Sequence, residues 1–313
     1  MTGSPTTLLA RWPSANPSSA IPLLARALTN NTHHPSINHG RRAVQIRSLR
    51  LPASDTAGKD GRNMYIVRTL EGTTEDVALV VEDPSARGKG RDRKGKGKAK
   101  QEEDDDEVMI VEDTAPSSDY AHAHGQWTFS TLALPPGSSP PSSSGAVASI
   151  FDTFIQRALF APPQPGAPPG QQAGGGFWQP RNAAVSIEGF SFSVGAAAGA
   201  TSDWTVKVGS VLLKGGASAG QSKGCIIEVT YLPVPYLPAN STYVKDFLLS
   251  LFPAPAVRNG EIEVITLGED TLEEAGLLDP RDPEKGEEEG EWEWQEKHST
   301  FAYVHQFKKE GIL

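Results

Sequence analysis

The sequence predicts an α+β fold in which antiparallel strands dominate and long inserts interrupt them. Short runs alternate apolar with polar residues; a few helical stripes stand apart from those runs; and proline, glycine and charge gather in blocks with little to bury. The clearest alternation is "DWTVKVGSVLL", residues 203–213, followed by "GCIIEVTYLP". Trp204, Val206 and Val208 fall on one side of the first run, with Thr205, Lys207 and Gly209 on the other; Cys225, Ile227, Val229 and Tyr231 repeat the pattern. The flexible connector "KGGASAGQSK" makes the pair a hairpin.

The other elements follow in order. Thr6 to Trp12 is a candidate strand, and "SSAIPLLARALT" (18–29) is a short amphipathic helix capped by Ser18 or Ser19, with Ile21, Leu24, Ala25 and Leu28 as its stripe. "RRAVQIRSLRLP" sets Val44 and Ile46 and, after a break, Leu49 and Leu51 against charge, as a strand with one wet face does. "NMYIVRTLE" (63–71) and "DVALVVED" (76–83) form a hairpin across "GTT", and "QWTFSTLALP" (126–135) is a further strand. "SIFDTFIQRALF" (149–160) puts Ile150, Phe151, Phe154, Ile155, Ala158 and Leu159 on one face behind a Ser149 cap, and is the best amphipathic helix in the chain. "NAAVSIEGFSFSV" (182–194) alternates Val185, Ile187, Phe190 and Phe192 around Gly189, which predicts a bulge. "NSTYVKDFLLSLF" (240–252) is a second good helix, capped by Asn240 or Ser241 and striped by Tyr243, Val244, Phe247, Leu248 and Leu251. "EIEVITL" reads as a short strand or extended arm, and "HSTFAYVHQFKK" as a helix.

Composition narrows the function classes. With 31 Gly and 25 Pro in 313 residues, much of the chain is connection. A formal charge of −9 argues against a surface that grips nucleic acid throughout, since phosphate affinity needs excess Lys and Arg. A single cysteine, Cys225, excludes an internal disulfide and a cysteine zinc site, and reads as a small buried strand residue in a reducing compartment. The first twenty residues lack the apolar run of a secretory signal and no stretch is apolar enough to span a bilayer, so a soluble intracellular protein is expected. The segments are 1–83, a first part of one domain; 84–118, a disordered basic and acidic insert; 119–252, the rest of the domain with flexible loops 135–147 and 161–176; 253–290, acidic and irregular; and 291–313, a helix packing on the domain.

In the insert, "PSARGKGRDRKGKGKAK" is followed by "QEEDDDE". Lys89, Arg91, Arg93, Lys94, Lys96, Lys98 and Lys100 form a candidate nuclear localisation signal; the plainer alternative is a solvated spacer. "VMIVED" (108–113) has the β-propensity of another strand, and it also resembles a SUMO-interacting motif, which adds a strand to a sheet edge.

Catalytic patterns were tested against the context each needs. Gly216, Ser218 and Gly220 spell G-x-S-x-G, but a nucleophile elbow must be followed by a helix, and here a strand follows. Lys223 precedes Gly224 where a phosphate loop needs Ser or Thr. Glu261 and Glu263 share one strand face, as metal-binding carboxylates would, whereas the other E-x-E, Glu291 and Glu293, is interleaved with Trp292 and Trp294 in a charged tail. His33, His34, His39, His122, His124, His298 and His305 lack partners at zinc spacing and read as loop or surface residues. No catalytic, cofactor or metal residue is assigned.

The block from Ser186 to Phe252 resembles the subunit 20 family of the Mediator complex. "IEG", "DWTVKVGSVLL", "KGCIIEVTYLP" and "YVKDFLLSLF" are similar to that family's "D-[FW]-x-V-K-V-G-x-V" strand, its "KG-[IV]-x-[VI]-E-V-x-Y" strand and the leucine-rich helix behind them. "NMYIVRTLE", "SIFDTFIQRALF" and "FAYVHQFKK" look like its early "MYV" strand, its "NFDVLMVKLKGFF"-like helix and its "YMELF"-like C-terminal helix, in the same order. The chain departs from the family in its inserts at 84–118, 135–147, 161–176 and 254–290. The resemblance implies an antiparallel β-barrel flanked by a few helices, related to tunnel-type RNA triphosphatases. It further implies a non-enzymatic role in the Mediator head module in the nucleus, a heterodimer with subunit 18, and a scaffold linking transcription regulators to RNA polymerase II, with no cofactor, membrane or sequence-specific nucleic acid. A metal-dependent triphosphatase on the same barrel and a SUMO-binding adaptor are the alternatives.

Overall fold

The computed structural model describes residues 3–30, 36–51, 61–72, 74–84, 126–133, 178–195, 202–238, 240–278 and 293–313. The candidate localisation residues Lys89 to Lys100, the segment 108–113, the loops 135–147 and 161–176, and the helix expected at 149–160 lie outside the described residues.

Within the described residues, alternating sequence becomes strand wherever it was expected. β1 (Gly3–Ser4) and β2 (Thr7–Trp12) precede helix α1 (Pro17–Thr29); β3 (Ser36–Leu51), β4 (Arg62–Glu71), β5 (Thr74–Glu82), β6 (Trp127–Ala133), β7 (Gln179–Val194), β8 (Trp204–Lys214), β9 (Ser222–Tyr231) and β10 (Leu237–Pro238) follow. The chain then forms α2 (Tyr243–Ser250), α3 (Ala254–Arg258), β11 (Glu263–Ile265), α4 (Glu269–Glu274) and α5 (Glu296–Lys309). Nine strands make one antiparallel sheet in the order β11-β2-β9-β8-β7-β3-β4-β5-β6, and β1 pairs with β10 beside it.

That sheet curls around α5. Laid flat, nine strands would span about 38 Å, while a helix with its side chains is about 10–12 Å across. Yet α5 and the residue after it reach both ends of the sheet: Lys309 pairs with Glu263 of β11 and Glu310 with Arg11 of β2, while Lys308 pairs with Glu82 of β5 and Phe301 meets Trp127 of β6 edge to face. Leu9, Val44, Ile46, Tyr65, Val67, Val80, Val185, Ile187, Val211 and Ile226 turn their side chains onto Phe301, Ala302, Val304 and Phe307.

An antiparallel sheet flanked by helices was expected and is found; the closed barrel is not. Among the described residues β11 and β6 each pair on one side only, so the cylinder keeps a seam. β11 has three residues, all of them paired with β2, and β6 pairs with β5. The final helix is therefore enclosed by the sheet instead of lying on its outside. The segment 253–290, expected to be irregular, carries α3, β11 and α4 in its described part, and Leu272, Ala275 and Leu277 join the core around α5.

The apolar side of the β8–β9 hairpin faces outward. Trp204, Val206, Val208, Cys225, Ile227 and Val229 pack with Ala10, Trp12, Phe192 and Val194 under α1, α2 and α3, through Ala20, Leu24, Leu28, Val244, Leu248 and Ala256. The helix caps differ from expectation by a residue or two. Asn16, not a serine, caps α1 by accepting from the Ser18 amide at 3.0 Å, because Pro17 takes the first helical position. Thr242 takes the cap position of α2, in place of Asn240 or Ser241, and makes no side-chain cap bond.

Gly189 marks a close approach and not a bulge. It sits directly across from Gly209, and a Cβ there would lie 1.8 Å from the Val208 carbonyl oxygen. The register shifts fall instead between β3 and β7, at Asn38/Gly40 and Arg47/Leu49, and between β8 and β9, at Ser210/Leu212. The shift at Arg47/Leu49 coincides with the break read in "RRAVQIRSLRLP", beyond which Leu49 packs away from α5. Gly189→Ala should therefore force β7 and β8 apart at cost of about 1–3 kcal/mol, read as a lower midpoint in chemical or thermal unfolding.

Candidate functional site

Tunnel-type enzymes work on the inner face of their sheet, so that face is the first place to look for chemistry. Alternation sends Arg11, Lys207, Glu228 and Arg42 inward on β2, β8, β9 and β3. Arg11 has no exposed surface and gives two parallel hydrogen bonds to Glu310, Nε to Oε1 at 2.9 Å and Nη2 to Oε2 at 2.8 Å. Its remaining donors reach the carbonyls of Cys225 and Lys223, and its plane lies over Phe307. A fork held this way satisfies a buried guanidinium.

Glu228 is the second anchor. It is 2 % exposed, and it accepts from Lys207 Nζ at 2.9 Å and from the Tyr303 hydroxyl, whose ring lies under Arg42. Burial pushes its pKa up, but the charges of Lys207 and Arg42 and the Tyr303 hydrogen bond outweigh that and hold it down to about 2. Burial beside that carboxylate pushes the Tyr303 hydroxyl far above its ordinary range. The third anchor is Glu82. It takes Lys308 Nζ at 2.6 Å, Asn63 and Gln126 amides at 3.2 Å and the Tyr65 hydroxyl at 3.4 Å, while Lys308 also sits 4.7 Å from the centre of the Trp127 ring. The inner face thus carries charge, and α5 and Glu310 neutralise it.

Glu261 and Glu263 take separate partners. Glu261 precedes β11 and accepts from Trp12 Nε1 at 3.1 Å, Ser14 Oγ at 3.2 Å and Asn259 Nδ2 at 3.2 Å, and these bonds lower its pKa, Trp12 foremost. Glu263 pairs with Lys309. Among the described residues no three His, Cys, Asp or Glu side chains gather as a cation site. The G-x-S-x-G residues form an open turn with Gly216 and Gly220 at positive φ, and β9 follows directly. Cys225 is fully buried, and burial pushes its thiol up to about 11 against the pull of Arg11.

The histidines divide. His33, His34, His122, His124 and Glu291 lie outside the described residues. His39 touches Ser193 on the surface, and His305 is half-buried, its pKa lowered by burial and then by Lys308 and Lys309. His298, read as a surface residue, is buried: its Nδ1 accepts from the Gln295 amide at 2.8 Å and its Nε2 lies 3.2 Å from the Leu277 carbonyl, so the ring fastens the start of α5 to the chain after α4. Glu293 is exposed.

Outside the sheet, one stretch exposes large apolar side chains in succession. Leu232, Val234, Tyr236 and Tyr243 are 49 %, 37 %, 38 % and 48 % exposed. Pro233 and Pro235 remove the amides that a strand would need, which leaves a segment that bends at both prolines and stays out of the sheet. Both ends are pinned, by the Leu232 amide on the Asp203 carbonyl at 2.8 Å and by β10 on β1. Beneath it, Trp204 stacks on Phe247 at 4.0 Å between ring centres and also packs against Tyr231 and Tyr243. Sequence reading passed over this stretch because its three prolines read only as a break.

No protein-family model and no curated protein matches the chain. Among solved structures, the PH1819 protein from Pyrococcus horikoshii OT3 is similar over 85% of this chain and 96% of its own, at 9% identity and a TM-score of 0.29, a likeness too slight to carry an argument.

Glu228 titrates below the usual carboxylate value of about 4.3, so it contributes stability above that pH, and the contribution is lost as pH falls from there towards 2. Glu228→Gln should flatten the acid limb of a stability-against-pH curve and cost about 3–5 kcal/mol near pH 7, because Lys207 loses its salt-bridge partner and the buried Arg42 keeps only Glu71, at 4.0 Å.

Proposed function

We propose that this protein is a non-enzymatic docking subunit: a member of the Mediator subunit 20 family that works in the nucleus, pairs with subunit 18 in the head module, and links transcription regulators to RNA polymerase II. The observation that carries this reading is the filled interior. The charged inner face, which a tunnel enzyme would hold open for its substrate, is taken up by α5, with Glu228, Glu82 and Arg11 bound to Tyr303, Lys308 and Glu310.

Function then falls to the outer surface. A curled sheet leaves few strand edges to share, so a partner is held by apolar anchors, and the proline-braced segment from Leu232 to Tyr236 with Tyr243 offers several at little conformational cost. The resemblance to subunit 20 lies in the β8–β9–α2 block that builds this surface. The basic cluster Lys89 to Lys100 supplies the nuclear import signal in this reading.

The test is a thermal shift on the purified full chain with and without subunit 18. A complex that excludes the unfolded chain must raise the melting temperature, by mass action, and the chain alone should be poorly soluble. Equal melting temperatures would overturn the pairing. Replacing Leu232 and Val234 by Ser should abolish that shift while moving the free chain's own stability by no more than about 0.5 kcal/mol, since both are exposed. A manganese-dependent release of phosphate from triphosphate, lost in Glu261→Ala, would instead establish an enzyme.

A further inference from the structure

The surface around Leu232 carries charge as well as apolar side chains. The Leu232 amide donates to the Asp203 carbonyl at 2.8 Å, which sets Asp203 beside the exposed stretch. The Asp203 carboxylate is close enough to act on Tyr243: burial, then Tyr231, then Asp203 push the Tyr243 hydroxyl above its ordinary pKa. Asp246 follows Tyr243 by three positions and so lies on the same side of α2, where Thr242 Oγ1 donates to it at 2.7 Å. Among the described residues neither carboxylate has an ion pair. Lys245 stands two positions from Tyr243, which on a helix turns it away from that side. Residues 196–202, just before Asp203, are Ala, Gly, Thr and Ser, with no cation among them.

The rings beneath are already in contact with one another. Between ring centres, Trp204 lies 4.0 Å from Phe247, 4.7 Å from Tyr231 and 5.2 Å from Tyr243, and Tyr231 meets Tyr243 edge to face at 5.1 Å. Rings packed this closely leave no cage between them for a compact ammonium group. They form a platform, and Tyr243, 48 % exposed, is its outer member.

Taking this surface as the docking site proposed above, we infer that the partner brings an arginine to it. The occupant is a short protein segment whose apolar side chains rest on Leu232 and Val234, and whose guanidinium lies over the Tyr243 ring with its fork on Asp203. A guanidinium is planar, stacks on an aromatic face, sheds water more readily than an ammonium and offers parallel donors to a carboxylate. Each property meets a feature of this surface: an exposed ring, apolar neighbours that exclude water, and a carboxylate without an ion pair. The alternatives fit worse. An acidic segment would meet Asp203 and Asp246 with no cation to receive it, and a wholly apolar one would bury Asp203 unpaired.

The test uses the full chain and three synthetic peptides, acetyl-Leu-Arg-Leu-amide and its lysine and citrulline counterparts, at millimolar concentration. Citrulline keeps the shape of arginine without its charge. Binding is followed through the tyrosine ring signals in nuclear magnetic resonance, with Tyr243 assigned by Tyr243→Phe. The arginine peptide should shift the Tyr243 signals, the lysine peptide should shift them less, and the citrulline peptide should leave them in place. Asp203→Asn should abolish the arginine shift and leave the melting temperature of the free chain unchanged, since no ion pair is lost. Equal shifts from the arginine and citrulline peptides, an arginine shift that survives Asp203→Asn, or no shift from any peptide would each overturn the inference. Subunit 18 separates this failure from failure of the docking reading. A thermal shift with subunit 18 that Leu232→Ser and Val234→Ser abolish but Asp203→Asn leaves intact keeps the docking surface and removes the arginine. Equal melting temperatures with and without subunit 18, beside an arginine-specific peptide shift, remove that partner and keep the site.

Discussion

Everything in this molecule depends on one helix being enclosed by a sheet too wide to lie flat against it. α5 touches β11 and β2 on one side and β5 and β6 on the other, so the curl of the sheet and the position of the helix are a single fact. Enclosure removes water, and a polar group inside must then find its partner within the protein. Arg11, Glu228 and Glu82 are therefore tied to Glu310, Tyr303 and Lys308, and these three ties fix the helix in rotation and along its axis. Apolar contacts alone would let the helix slide. The ion pairs supply register, which is the best-attested use of buried charge.

Much of the sheet was legible from alternation, because a strand with one apolar side advertises itself. What could not be read was which side faces in. Trp204, Val206 and Val208 are the greasier set, yet they face outward, where α1, α2 and α3 cover them. Lys207, on the other side, looks like a solvated residue until it meets Glu228 across the hairpin. Sequence pattern separates apolar from polar; it does not separate a wet charge from a paired one. Gly189 went wrong for a related reason. A lone glycine in a strand is read as a bulge, whereas its role here depends on Gly209 twenty residues later.

The candidate chemistry divides along the same line. Glu261 and Glu263 were legible as an E-x-E pair, and the structure gives them separate partners, Trp12 and Lys309. The three anchors of α5 gave no motif, since Arg11 and Glu310 are 299 positions apart and nothing local links them. The exposed stretch at Leu232 was hidden by its own prolines. Pro233 and Pro235 end the strand pattern, and that interruption leaves the side chains on view.

The pairing of β2 with β9 has a consequence for how the protein is made. Thr7 lies against Thr230 and Trp12 against Cys225, so the first long strand has no neighbour until the ninth emerges from the ribosome. At 5–20 residues per second this is a wait of about 10–40 s with an apolar strand unprotected. Residues 7–12 therefore enter the sheet late, through the slow closure of distant contacts.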